Sequence, residues 1–214
     1  MEVDETTCWY SKDLHIKANG EMGASSNLRP GIALKGLFKL IPEEKKTVID
    51  LGCGNAKVSS IVGDRKYIGL DLSHNIETMC ESAYPDLYFI KCDIVKDEIE
   101  FISEYDIVLM NNFIDAMQYP LRVLDKVLKN CRGYIVLHSQ EIIEGKTSVI
   151  KNPSYIGFTY HSEIGRNDFN EILEKHKVSI VKEVDTGIGI WKNTKRRIRY
   201  PGEWRSFLLL ANIE

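Results

Sequence analysis

The chain has 214 residues, long enough to bury one sizeable core, and its 43% apolar and 28% charged residues are an ordinary globular mixture. A formal net charge of −3 gives no global pull toward nucleic acid or an anionic membrane, so such an affinity would need a local patch. The longest apolar run, FLLLANI, is broken by Asn212 and is far too short to span a bilayer.

The first residues, MEVDETTCWYSKD, are acidic and lack the basic flank and apolar core of a secretion signal. Cys8, Cys53, Cys80, Cys92 and Cys131 are odd in number and at least twelve residues apart, which fits neither a disulfide framework nor a CxxC zinc site. A reducing, cytoplasmic setting is the expectation, with no metal site.

Turn residues in ANGEMGASSNLRPG lead into IALKGLFKLI, where Ile32, Leu34, Phe38 and Ile41 have helical spacing, and Pro42 follows. Strand and helix signals then alternate. TVIDL (47–51) is a β-branched strand, and AKVSSIVG (56–63) begins a helix. KYIGLDL (66–72) is the second strand, with Ser73 as N-cap of HNIETMCESA. LYFIKCD (87–93), YDIVLMN (105–111) and GYIVLHS (133–139) are strands three to five, separated by the helices VKDEIEFIS and LRVLDKVLKN (121–130). Residues 142–165 carry no period and are expected to form a lid. A helix at 167–177 and strands at 178–191 and 204–213 close the chain. The expected fold is α/β: a doubly wound, mostly parallel sheet of seven strands, helices on both faces, and an antiparallel edge.

Ligands of such sheets bind beyond the carboxyl ends of the strands. DLGCGNA lies there, after strand one. Gly52 and Gly54 allow close backbone approach, while Asp50 would repel a pyrophosphate and welcome a cation. The dinucleotide pattern GxGxxG would need glycine at position 57, where Lys57 stands, and this counts against an NAD-type reductase. Asp71 ends strand two, Asp93 strand three, and Asn111 and Asn112 strand four. Each acid alone fits a turn or a helix cap equally well. Their conjunction at successive strand ends is the signal.

Across roughly residues 32–140 this pattern resembles the class I S-adenosylmethionine-dependent methyltransferases, whose fold is Rossmann-like. The resemblance implies S-adenosyl-L-methionine as cofactor, its methionine end held by Asp50, Gly52, Cys53 and Gly54, with Asn111 nearby. It implies Asp71 on the ribose, Leu72 against the adenine, and Cys92, Asp93 and Ile94 framing the base. Ala56 replaces the frequent third glycine. Cys53 is expected to pack under the bend.

The acceptor is less legible. His138, Glu141 and His161 are candidate bases, and a hydroxyl acceptor would need one where an amine would not. His138 fits equally a hydrogen-bonded strand end, and His161 a neighbour of the next helix. Asn112, Phe113, Tyr155 and Tyr160 are candidate substrate contacts. NNFIDAMQYP lacks the Pro-Pro-aromatic motif of base N-methyltransferases. NNF and NGEMG resemble, over a few residues, the nucleosomal lysine methyltransferases without a SET domain, which makes Glu21 a candidate cofactor contact. Lys192, Lys195, Arg196, Arg197 and Arg199 lie among aromatics in the 191–205 segment and suit either a solvated connection or an acidic macromolecule.

One domain over 1–214 is expected, with 1–30 and 142–165 as cap and lid, acting on a small molecule such as a natural product, glycan or metabolite. A protein or RNA methyltransferase using 191–205 and a non-catalytic cofactor-binding partner subunit are the alternatives.

Overall fold

The computed structural model describes residues 2–4, 10, 29–154, 157–187 and 203–211. The strands are β1 (Thr47–Leu51), β2 (Lys66–Asp71), β3 (Tyr88–Lys91), β4 (Ile107–Asn111), β5 (Tyr134–Ile143), β6 (Ser148–Ser154), β7 (Gly157–Gly165), β8 (Val178–Gly187) and β9 (Glu203–Ala211). Three longer helices are α1 (Arg29–Phe38), α2 (Pro120–Asn130) and α3 (Arg166–Lys175).

Consecutive apolar residues explain the two-layered cover. Ile49, Val108, Ile135 and Leu137 point to one core, with Val123, Leu124, Val127 and Leu128 of α2 and Phe169 and Leu173 of α3. Their neighbours Val48, Ile107, Leu109 and Val136 point to the other, with Leu34, Leu37 and Phe38 of α1. A strand buried on both faces cannot show polar alternation, hence the continuous apolar runs. Each fully buried Leu or Val contributes about 1.5–3 kcal/mol. Proline at the first position starts α2, where its missing N–H costs nothing. α1 begins and ends three residues earlier than the spacing predicts, and Ile32, assigned to the apolar face, is 62% exposed.

The parallel strands run β3-β2-β1-β4-β5, and β9 then pairs antiparallel with both β5 and β8. Those seven strands and their antiparallel edge match the expectation, but among the described residues the sheet has nine. The two extra strands are β6 and β7, an antiparallel hairpin within the stretch expected to be irregular. Its sequence hid it because Val149 and Ile150 of β6 are both 40% exposed, so apolar residues fall on solvent positions.

β7 joins the sheet in an unusual place. β4 pairs with β5 as far as Asn111–His138, and β7 takes over that side of β5 at Ile142–Ile164. Between the two, β5 shifts register against β9, with Ser139 at φ 53. β5 thus runs beyond the end of β4.

Other helices differ from expectation. Residues 57–61 and 100–104 are 3-10 turns, and Ser73–Asn75 continues as a π-helical turn, Ile76–Cys80. Ser73 is the first helical residue and not the cap; its hydroxyl bonds Glu77. Asp71 holds the helix start instead, through the amide of Leu72 and the side chain of Asn75. Among the described residues no helix is long and apolar enough to cross a membrane.

Candidate active site

The bend after β1 has three residues in the left-handed region, Gly52 (φ 73), Gly54 (φ 56) and Ala56 (φ 53). The first two avoid strain by lacking Cβ; Ala56 costs about 1–2 kcal/mol, held by its complete burial. The amides of Gly52 and Cys53 both donate to the Leu70 carbonyl, at 2.8 and 3.0 Å. Cys53 packs beneath the bend: a Cβ on Gly69 would stand 2.8 Å from its Sγ. Cys80 donates its thiol to the Gly54 carbonyl at 3.1 Å. The Cys53 thiol is pushed well above its usual range by its hydrogen bond with Cys80 and by burial, so it stays protonated.

Asp71 ties this bend to β2. One carboxylate oxygen accepts the Gly54 amide at 2.8 Å; the other accepts the Leu72 amide at 2.7 Å and Asn75 Nδ2 at 2.5 Å. Burial raises its pKa, and these bonds oppose the rise. Asp50 is 1% exposed; Tyr67 donates its hydroxyl to Oδ2 at 2.6 Å, while Oδ1 is enclosed and unpaired. Burial pushes Asp50 up to about 7, against the Tyr67 bond and with the nearby Asp71 charge adding. Asn75 is fully buried and its Oδ1 is also unpaired. Two enclosed acceptors therefore border the bend.

At the end of β3, Cys92 and Ile94 are buried, and the Cys92 amide bonds the Asp71 carbonyl at 2.9 Å. Asp93 Oδ1 accepts the Val95 amide at 3.0 Å and the Tyr10 hydroxyl at 3.3 Å. Beyond β4, Asn112 is exposed at φ 46, its amide bonded to the His138 carbonyl, and Phe113 folds back over Gly52.

His138 is 3% exposed, and burial lowers its pKa to about 4. Ser206 Oγ accepts the Ser139 amide at 3.0 Å and shares a hydrogen bond of 2.8 Å with His138 Nδ1. The imidazole is therefore neutral. Such a group is a weak base.

Past the end of β4, the extension of β5 carries Glu141, which is fully buried, with Oε2 2.7 Å from His161 Nε2 on β7. Burial works against a charged His161, but the Glu141 bond and charge, with Asp115 and Glu163, hold its pKa above the ordinary value. Asp115 comes from the 3-10 turn after β4; its Oδ1 is enclosed and unpaired, and burial pushes it up to about 6. Trp204 lies directly across from Glu141 on β9, 8% exposed, its Nε1–H unpaired and its ring 6.4 Å from that of His161. Tyr160 bonds Asp4 at 3.1 Å, and Lys151 bonds the same carboxylate, which brings the first residues of the chain onto the hairpin.

Asp50, Gly52, Cys53, Gly54, Asp71, Leu72, Cys92, Asp93 and Ile94 thus gather along the ends of β1 to β3. Asn111, Asn112, Phe113 and His138 follow at β4 and β5, and Glu141 and His161 meet beyond them. Glu21, Tyr155 and the cluster Lys192, Lys195, Arg196, Arg197 and Arg199 lie outside the described residues. Tyr67, Gly69, Asn75, Cys80, Asp115 and Glu163 were not singled out. Asn75 lies in the first helical turn after β2, where its side chain can reach back to Asp71.

The model of the family described as methionine biosynthesis protein MetW matches residues 33–140. A protein of Invertebrate iridescent virus 6, 235L, whose name provisionally makes it a methyltransferase, is 40% identical over 107 residues. That match spans 48% of this chain and only 37% of the viral protein. The 1,6-didemethyltoxoflavin-N1-methyltransferase of Burkholderia thailandensis, with 1,6-didemethyltoxoflavin and S-adenosylhomocysteine bound, superposes with a TM-score of 0.60 at 11% identity, over 88% of this chain and 80% of that one. S-adenosylmethionine-bound CalS10 of Micromonospora echinaspora, an amino pentose methyltransferase of calicheamicin biosynthesis, has a TM-score of 0.59 at 11% identity, over 93% and 97% of the two chains. Likeness at such identity is of fold.

Proposed function

Because this chain belongs to the MetW family and has the fold of the class I S-adenosylmethionine-dependent methyltransferases, we propose that it methylates a small molecule at the expense of that cofactor. The observation that supports this best is the pair of enclosed, unpaired acceptors beside the glycine bend, Asp50 Oδ1 and Asn75 Oδ1. Buried acceptors without partners cost about 1–3 kcal/mol each, and a ligand rich in donors relieves that cost. The cofactor offers an ammonium, two ribose hydroxyls and a sulfonium charge.

The residues present fit it. Asp50, Gly52 and Gly54 would hold the methionine end, Asp71 and Asn75 the ribose, and Cys92, Asp93 and Ile94 the base. When bound, the cofactor supplies an activated methyl group for in-line displacement. The chain's own work is to align the acceptor and keep water out. Phe113 closes the bend from the β4 side, and the N-terminal residues reach both the β3 end, through Tyr10, and the β6–β7 hairpin, through Asp4. Such a covered site suits a compact acceptor; the small-molecule acceptors of the two solved relatives agree with it.

Calorimetry tests the proposal. S-adenosylhomocysteine should bind one per chain, NAD should give no response, and Asp71→Ala should abolish the heat. An absent response to S-adenosylhomocysteine, or an equal one to NAD, overturns it.

A further inference from the structure

We propose that Glu141, His161 and Glu163, faced by Asp115, bind one divalent transition-metal ion on the acceptor side of the glycine bend. The sequence holds no metal pattern because the ligands come from two strands about twenty residues apart. In space, one donor atom from each of Glu141, His161 and Glu163 lies within 4.8 Å of the others. An octahedral ion with donors at about 2.1 Å places them roughly 3 to 4.2 Å apart, so small side-chain adjustments close the site.

The sheet builds this arrangement. Ile142 pairs with Ile164, so Glu141 and Glu163, one residue earlier on each parallel strand, stand side by side. His161, two residues before Glu163, shares its face. Juxtaposed acids on neighbouring strands repel each other, and a cation between them reverses the sign of that interaction. Glu163 is oriented by Ser148, whose hydroxyl donates to Oε2 at 2.7 Å.

Two further atoms point to an occupant. Asp115 Oδ1 is enclosed without a partner, and its side chain interacts electrostatically with both His161 and Glu141. Trp204, more than nine-tenths buried on the same face as Glu141, keeps an unpaired Nε1–H. The charge of a metal ion would offset that of the first, which stands outside the three-atom cluster, and an oxygen held on that ion would accept from the second. An imidazole among carboxylates favours Mn²⁺ or Zn²⁺ over Mg²⁺ or Ca²⁺. If the methyltransferase proposal holds, on which this clause alone rests, the ion would orient an oxygen of the acceptor, making the acceptor a hydroxyl compound.

The test uses the full chain stripped with chelator and titrated with Mn²⁺ and Zn²⁺, with elemental analysis of the dialysed protein. One ion per chain is expected, with at least tenfold weaker binding in Glu163→Gln and in Asp115→Asn, and less affinity for Mg²⁺. The S-adenosylhomocysteine thermal shift should persist in both variants, which shows that they fold and separates this proposal from the previous one. Uptake below stoichiometric, or wild-type affinity in both variants, overturns the site and leaves His161–Glu141 as a metal-free pair.

Discussion

The ring of Phe113 lies so close to Gly52 that a Cβ on residue 52 would stand 2.1 Å from Phe113 Cδ2. The turn after β4 and the bend after β1 are therefore in direct contact, and residue 52 also sits at φ 73. Gly52→Ala should destabilise the fold by about 2–4 kcal/mol, from strain and overpacking together. The double variant Gly52→Ala/Phe113→Ala should regain only the steric part. Urea unfolding of the four proteins of this cycle measures both; strictly additive effects would contradict the contact.

Asp71 is the second test. Asp71→Ala leaves the Gly54 and Leu72 amides without their carboxylate, at a cost of about 2–4 kcal/mol, while Asp71→Asn keeps one acceptor and should lose less. Both should weaken S-adenosylhomocysteine binding, Ala the more. Denaturant midpoints and calorimetry report the two effects separately.

Asp50 carries a pH dependence. Its folded pKa of about 7 exceeds the ordinary 3.8, so between these values the native state holds a proton that the unfolded chain has released. Its contribution to stability is thus complete below pH 3.8 and declines as pH rises to about 7, by up to about 1.4 kcal/mol per pH unit. The pH profile of wild type minus that of Asp50→Asn should show this decline. Binding of S-adenosylhomocysteine, with its ammonium, should tighten over the upper part of the same window.

Ser206→Ala should leave the Ser139 amide and His138 Nδ1 unpaired at the register shift of β5, costing about 1–3 kcal/mol in thermal or urea unfolding. Ser206→Thr, which keeps the hydroxyl, should recover part of the loss. Indifference of stability to the alanine change would contradict a structural role for these two bonds.

The β1 to β5 succession was legible because TVIDL, KYIGLDL and YDIVLMN pack on both faces and so stay apolar throughout. Asp50 and Asp71 stood out through their conjunction with Asp93 at successive strand ends, since each acid alone also fits a turn or a helix cap. The β6–β7 hairpin was not legible, since Val149 and Ile150 occupy exposed positions on an edge strand and erase the period. Tyr67 was not singled out, because its bond to Asp50 depends on the β1–β2 register, which one chain segment does not encode. The meeting of Glu141 with His161 and Glu163 likewise depends on β7 taking the place of β4 beside β5. His138 was expected at the end of strand five, but β5 continues to Ile143, and the neutral form of the imidazole follows from burial that only the assembled sheet provides.

The exchange of neighbours along one side of β5 has an evolutionary corollary. The seven-strand path and the contacts of the glycine bend involve no residue between 144 and 160, so insertions or replacements there should leave the bend in place. Selection could then retool acceptor choice by swapping a single ribbon, while the half of the same strand paired with β4 continues to serve an unchanged donor.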